Sequence, residues 1–223
     1  MHQTAFKVIL LGLSCTSSGA IAQSDLSSYV QVDHILLESQ ESAQLALKLL
    51  QAGVPFERLA RVWSADPGTS KIGGQLAVTK CSEYVPEFAK FVCSAELLTP
   101  GIVKTVFGWH LAVVHGRSQD RRSVRDPDPS IKSPPFTATV TLSCGFPSVP
   151  DQSIAVRVDE PNAVGYVGAH PALLKTSEIT FRLMRADGQE VEIDRTTGAG
   201  VISPRGAEPV AGLVCRAASQ RLF

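Results

Sequence analysis

The sequence predicts an α+β protein made of two units, a mixed first half and an all-β second half. Three observations carry this. Residues 29–118 switch between strand-like and helix-like periodicity. Residues 119–135 are charged and proline-bearing, with almost no large apolar groups, as in a linker. From Phe136 to residue 223 the apolar residues alternate, which suits a small antiparallel barrel or sandwich.

In the first unit, Val32-Asp33-His34-Ile35-Leu36-Leu37 reads as an opening strand. Ser39 or Ser42 can then cap a helix whose Ala43, Ala46, Leu47 and Leu50 form one apolar stripe, with Gly53 ending it. A second amphipathic helix covers Pro55 to Trp63, with its proline in the first turn. Asp66-Pro67-Gly68 and Lys71-Ile72-Gly73-Gly74 are turns. Pro86 to Cys93 reads as a short helix on which Tyr84, Phe88 and Val92 recur at four-residue spacing, and Thr105 to Val114 reads as a closing strand. In the second unit the alternating runs are Thr137–Leu142, Ile154–Val158, Ile179–Met184 and Glu190–Asp194, with Asp187-Gly188 as a hairpin turn between the last two.

Lysine plus arginine and aspartate plus glutamate both number 21, so no net field favours nucleic acid or an anionic membrane. Lys7, the apolar run Val8 to Leu13 and the small residues up to Ala20-Ile21-Ala22 match a secretory signal peptide over residues 1–22, with cleavage after Ala22. The run is too short to span a bilayer, and no later segment approaches spanning length. Lipidation at Cys15 would anchor the chain instead, but Gly12-Leu13-Ser14 is a poor lipidation signal. The expected location is therefore the cell envelope, most simply a periplasm.

Removing the signal leaves Cys81, Cys93, Cys144 and Cys215, an even number that invites disulfides in an exported chain. Of the three possible pairings, the division into two units favours Cys81–Cys93 and Cys144–Cys215. No pair has close zinc-ligand spacing, so a metal is not expected.

The ordered set His34, Gly53-x-x-Phe56-x-x-Leu59-Ala60, Asp66, Gly73-Gly74-x-Leu76, Val85-Pro86-x-Phe88, Pro100-Gly101 and Thr105-x-Phe107-Gly108-x-His110 resembles a parvulin-type peptidyl-prolyl cis-trans isomerase domain over residues 29–118. The resemblance implies a four-stranded antiparallel sheet flanked by helices. It also implies a folding factor that rotates X–Pro bonds in unfolded or extended polypeptides. Leu76, Tyr84 and Phe88 would line the proline pocket, with Phe107 at its edge. His34, His110 and Thr105 would form a hydrogen-bonded floor, and Asp66 would place a negative group near the prolyl carbonyl.

Such chemistry needs no cofactor. The barrier of about 18–20 kcal/mol comes from amide resonance, so a site works by holding the twisted, less polar amide better than either planar form. Two departures bear on this. Tyr84 stands where the family often has methionine, and Ala77-Val78 replaces a glycine and an aromatic. Glu38-Ser39-Gln40-Glu41 is acidic where phosphate-dependent relatives are basic, so phosphorylated substrates are not expected. Two other readings remain: a non-catalytic peptide-binding chaperone using the same groove, and a protein whose β-unit carries the function.

Overall fold

The computed structural model describes residues 26–132 and 134–218, so the expected signal peptide and Cys15 lie outside the described residues. Two β-structures organise the chain: a four-stranded antiparallel sheet and a closed eight-stranded barrel. The overall class is α+β.

The sheet is built from β1 (Tyr29–Leu37), β2 (Thr79–Lys80), β3 (Gly101–Thr105) and β4 (Gly108–Ser118), in the order β2-β1-β4-β3. Alternation sends the two faces of β1 and β4 to different cores. Ile35, Leu37 and Leu111 join a cluster with α1 (Gln40–Gln51) and α2 (Phe56–Trp63). Val30, Val32, Ala112 and Val114 join another with α3 (Pro86–Ser94). Ser39 caps α1 by accepting from the Ser42 N–H, and Pro86 occupies the first turn of α3. Arg117 of β4 donates to the carbonyls of Val92 and Ala95, which satisfies the open end of α3 and fixes the helix against the sheet.

The barrel comprises β5 (Val140–Gly145), β6 (Ser153–Asp159), β7 (Val164–Val167), β8 (His170–Thr176), β9 (Thr180–Arg185), β10 (Glu190–Asp194), β11 (Ala199–Ser203) and β12 (Val210–Ala217). β12 returns to pair with β5, which leaves no open edge. The lumen is filled by side chains such as Val156, Val158, Leu183, Ile193 and Leu213. Of the open alternatives, barrel or sandwich, the chain forms the barrel.

Cys144 and Cys215 face each other across the β5–β12 pairing and are bonded. The expected Cys81–Cys93 bond is corrected: the structure forms no disulfide between these two residues. They are buried in the apolar cluster of Val30, Val92 and Val114, where each packs as a small hydrophobic residue.

The segment expected to be a spacer lies along the first unit. The buried Gln75 amide accepts from the Asp128 N–H at 2.6 Å and donates to the Asp128 carbonyl at 3.2 Å, and Val124 is buried. A buried amide needs partners, and the segment supplies them. The barrel docks through Val164, Tyr166, Leu173 and Met184 onto the cluster formed by α1 and α2. It therefore covers one face of the sheet and leaves the α3 face to other uses. Among the described residues, no helix is long and apolar enough to cross a membrane.

Candidate functional site

His34 on β1 pairs in register with Ala112, and His110 lies two residues earlier on β4. This diagonal relation puts both imidazoles on the α3 face of the sheet. Their Nδ1 atoms are 3.1 Å apart, and the rings lie nearly parallel with centroids at 5.4 Å. Phe88, carried by the first turn of α3, meets both rings, at 6.1 Å from His34 and 5.1 Å from His110.

The polar partners continue on both sides. His34 Nε2 lies 2.9 Å from Asp66 Oδ2, and His110 Nε2 lies 2.8 Å from Thr105 Oγ1. Asp66 also accepts from the Thr69 hydroxyl at 2.5 Å and from the Gly68 N–H at 2.9 Å. Thr69 Oγ1 sits 3.1 Å from His34 Nε2 as well, so the two residues share the histidine N–H.

Donor and acceptor rules give this chain a direction. A carboxylate only accepts, so His34 carries its proton on Nε2. Its Nδ1 then accepts from His110 Nδ1–H, which leaves His110 Nε2 to accept from Thr105. The Thr105 oxygen in turn accepts the Phe107 N–H at 3.1 Å. Both imidazoles are neutral in this arrangement.

The electrostatics agree. Burial pushes the His34 pKa below 6.5 despite the hydrogen bond and charge of Asp66. Burial and the facing His34 lower His110 to about 4. For Asp66, burial by itself would raise the pKa, but Thr69, the Gly68 N–H and His34 together hold the carboxyl below its ordinary range. The pattern is one anchored anion, two neutral rings and a hydroxyl.

Gly74 explains how the Asp66 loop reaches the strand. The His34 N–H donates to the Gly74 carbonyl at 2.8 Å, with Gly74 at φ +86°. A Cβ there would meet the His34 carbonyl oxygen at 2.5 Å, so this close approach requires glycine. Beyond it, Gln75 makes a single bridge to Asp33 and residues 76–78 are irregular, which is where Ala77 departs from the family pattern.

The apolar side of the site is compact. Phe88 is 4% exposed, and Tyr84 packs against it edge-on at 5.2 Å. Leu76 and Tyr84 are half-buried against the same cluster. The Tyr84 hydroxyl is buried and lacks a hydrogen-bond partner among the described residues. Burial, followed by Cys81 and Glu83, pushes its pKa up to about 12, so it remains a protonated donor. Phe107 stands apart: it lies in the β3–β4 turn, 68% exposed, beside the still more open Val106.

Of the residues singled out in the sequence, the fold thus brings together His34, Asp66, Leu76, Tyr84, Phe88, Thr105 and His110, and leaves the Phe107 side chain on the surface. Thr69 was missed. Its only sequence signal is its place three residues after Asp66 in an Asp-Pro-Gly turn. Among the described residues, no group of three or more metal-ligating side chains is positioned to hold a metal.

Residues 20–118 match the family model of the PPIC-type PPIASE domain. "Chaperone SurA" of Pseudomonas savastanoi pv. phaseolicola is 34% identical over 111 residues, covering 44% of this chain and 26% of that protein. "Foldase protein PrsA" of Halalkalibacterium halodurans is 30% identical over 98 residues, covering 44% of this chain and 29% of that protein. The chain therefore spans less than a third of the length of these relatives. Among solved structures, a peptidylprolyl isomerase (PrsA) from Bacillus cereus is 28% identical, with a TM-score of 0.41, over 43% of this chain and 38% of that one.

Proposed function

With residues 20–118 carrying a parvulin-type domain of the PPIC class, we propose that the protein is a peptidyl-prolyl cis-trans isomerase of the cell envelope that acts on exported polypeptides as a folding factor. The observation that carries the reading is the contact of Phe88 with both imidazoles of a neutral, hydrogen-bonded pair, on the face of the sheet that the barrel leaves uncovered. Export is supported by the signal-like residues 1–22.

The residues divide the work. Phe88, Leu76 and Tyr84 form the apolar cup for the proline ring. Withdrawal of the amide from water favours its twisted form, in which charge separation is smaller. The Tyr84 hydroxyl, a donor without a partner among the described residues, offers a hydrogen bond to a backbone carbonyl of the substrate. Asp66 cannot serve as a mobile base, because both its oxygens already accept hydrogen bonds. It acts as a fixed negative end that orients His34, and through it His110 and Thr105. The histidines hold the floor of the site and need not exchange protons with substrate.

The test is isomerisation of short X–Pro peptides by the mature protein, with Phe88→Ala and His110→Ala variants whose folding is verified by circular dichroism. Rate enhancement that is lost in Phe88→Ala is the expected result. A well-folded native protein without enhancement overturns it. A second reading, a peptide-holding chaperone, is favoured by one feature: Phe107 and Val106 form an exposed apolar tip in the β3–β4 turn. Peptide binding in the absence of rate enhancement would select it.

A further inference from the structure

The seam between the two units holds a cleft of about 310 Å³ that the isomerase chemistry does not use. Arg61, on α2, lines it from one side, and Phe136 and Tyr166 line it from the other. The two rings meet edge-on at 4.8 Å and make an apolar wall. Lys71 contributes a second cation at the rim.

The charges are unbalanced. The Nε of Arg61 is buried without a hydrogen-bond partner among the described residues, and none of the ion pairs among them involves this guanidinium. Burial and the neighbouring Arg58 both work against its charge, and Glu57 offsets this only in part. The one carboxylate lining the cleft among the described residues, Asp159, is already committed. It accepts from the Thr137 N–H at 2.9 Å and from the Asn162 amide at 2.8 Å. A buried donor without an acceptor costs about 1–3 kcal/mol, more when charged, so such a group is a natural ligand contact.

We propose that this cleft is a second polypeptide-binding site, which takes a carboxylate flanked by an apolar side chain. The planar guanidinium presents parallel donors that match a carboxylate in two-point fashion. The Phe136–Tyr166 wall receives the apolar neighbour. An acidic side chain and a chain-terminal carboxylate offer the same chemistry. Because the cleft lies on the barrel-covered face, a chain held there does not compete for Phe88. The inference rests on the proposal that polypeptides are the ligands, but it concerns a different surface.

The experiment uses the full mature protein and proline-free probe peptides, followed by calorimetry. One probe is capped at both ends and carries a central Leu-Glu-Phe. A second carries Leu-Gln-Phe with a free C-terminal carboxylate. A third is Leu-Gln-Phe capped at both ends. Binding of the first or second, but not the third, is expected, and it identifies which carboxylate is read. Arg61→Gln should weaken that binding at least about tenfold, given the strength of a charged hydrogen bond. Phe88→Ala should leave it unchanged. Equal binding of the neutral probe, undiminished binding by a folded Arg61→Gln variant, or no binding of any probe would each overturn the second site. X–Pro isomerisation, measured on the same preparation, reports separately on the first.

Discussion

His34 Nδ1 and His110 Nδ1 lie 3.1 Å apart on neighbouring strands, and the anchored Asp66 decides which of the two carries the proton between them. The carboxylate demands a proton on His34 Nε2, so the shared bond is donated by His110. A single polar residue in a turn thereby sets the tautomer of a ring two hydrogen bonds away. The expected nitrogen shifts are those of an Nε2–H His34 and an Nδ1–H His110, which side-chain NMR of the labelled protein would read directly. A shift pattern with both rings protonated on Nε2 would refute this order.

The pH dependence of stability follows from the same pair. Both histidines titrate below 6.5 in the fold, His110 at about 4, because burial opposes the charged form. The unfolded chain therefore binds more protons between these values, and stability must fall as pH drops from 6.5 through 4. Each unit of depression corresponds to about 1.4 kcal/mol. His115, raised by its hydrogen bond to Asp33, acts oppositely, and its contribution is lost as pH rises through its folded pKa. Urea denaturation at a series of pH values should show a smaller slope below pH 6.5 for His110→Gln than for the native protein.

Thr69 tests whether the anchoring of Asp66 matters. Thr69→Val keeps the shape and removes the 2.5 Å hydrogen bond, leaving the half-buried Asp66 Oδ2 with His34 as its remaining donor. A stability loss of about 1–3 kcal/mol is expected, together with a higher Asp66 pKa and slower isomerisation. Thr69→Ser should restore most of all three. Carboxyl titration by NMR separates this from simple loss of packing.

Gly74→Ala should cost more than an ordinary surface change, because the new Cβ meets the His34 carbonyl oxygen at 2.5 Å and the backbone sits at φ +86°. A loss of about 1–3 kcal/mol is expected from the backbone strain alone. Denaturant midpoints would record it, with the shift of the His34 resonances as the local signature.

The Cys144–Cys215 bond joins the first and last strands of the barrel across a sequence separation of 71. In the loop-entropy model such a closure contributes about 4 kcal/mol. Cys144→Ser should therefore lower the melting temperature of the barrel markedly, and a reductant should do the same to the native protein. No change in either melt would show that the barrel holds without it.

Much of the site was legible because its residues sit on strongly periodic segments. The alternation around His34 and His110 put both rings on one face, and the helical spacing of Tyr84 and Phe88 aimed them at one place. A serine cap at Ser39 or Ser42 was readable for the same local reason, and the structure selects Ser39. The exposure of Phe107 was not readable, because it lies in a two-residue turn where alternation no longer dictates direction. The strands Val164–Val167, His170–Thr176, Ala199–Ser203 and Val210–Ala217 were not seen. Their glycine, alanine and proline content dilutes the period-two signal that a strand otherwise shows.

By itself the sequence determined the local architecture: which residues alternate, where helices start, and which histidines, aspartate and aromatics belong to one chemical set. The first two are consequences of nearest-neighbour periodicity, which a linear chain displays, and the third rests on the ordered motifs of the parvulin resemblance. The tertiary structure decided that β12 closes onto β5, that Cys81 and Cys93 are not bonded to each other in the packed core, that Thr69 completes the hold on Asp66, and that the barrel covers the α1–α2 face rather than the His34–His110 face. Each of these depends on groups distant in sequence satisfying one another's burial and hydrogen bonds, and no local pattern encodes that match.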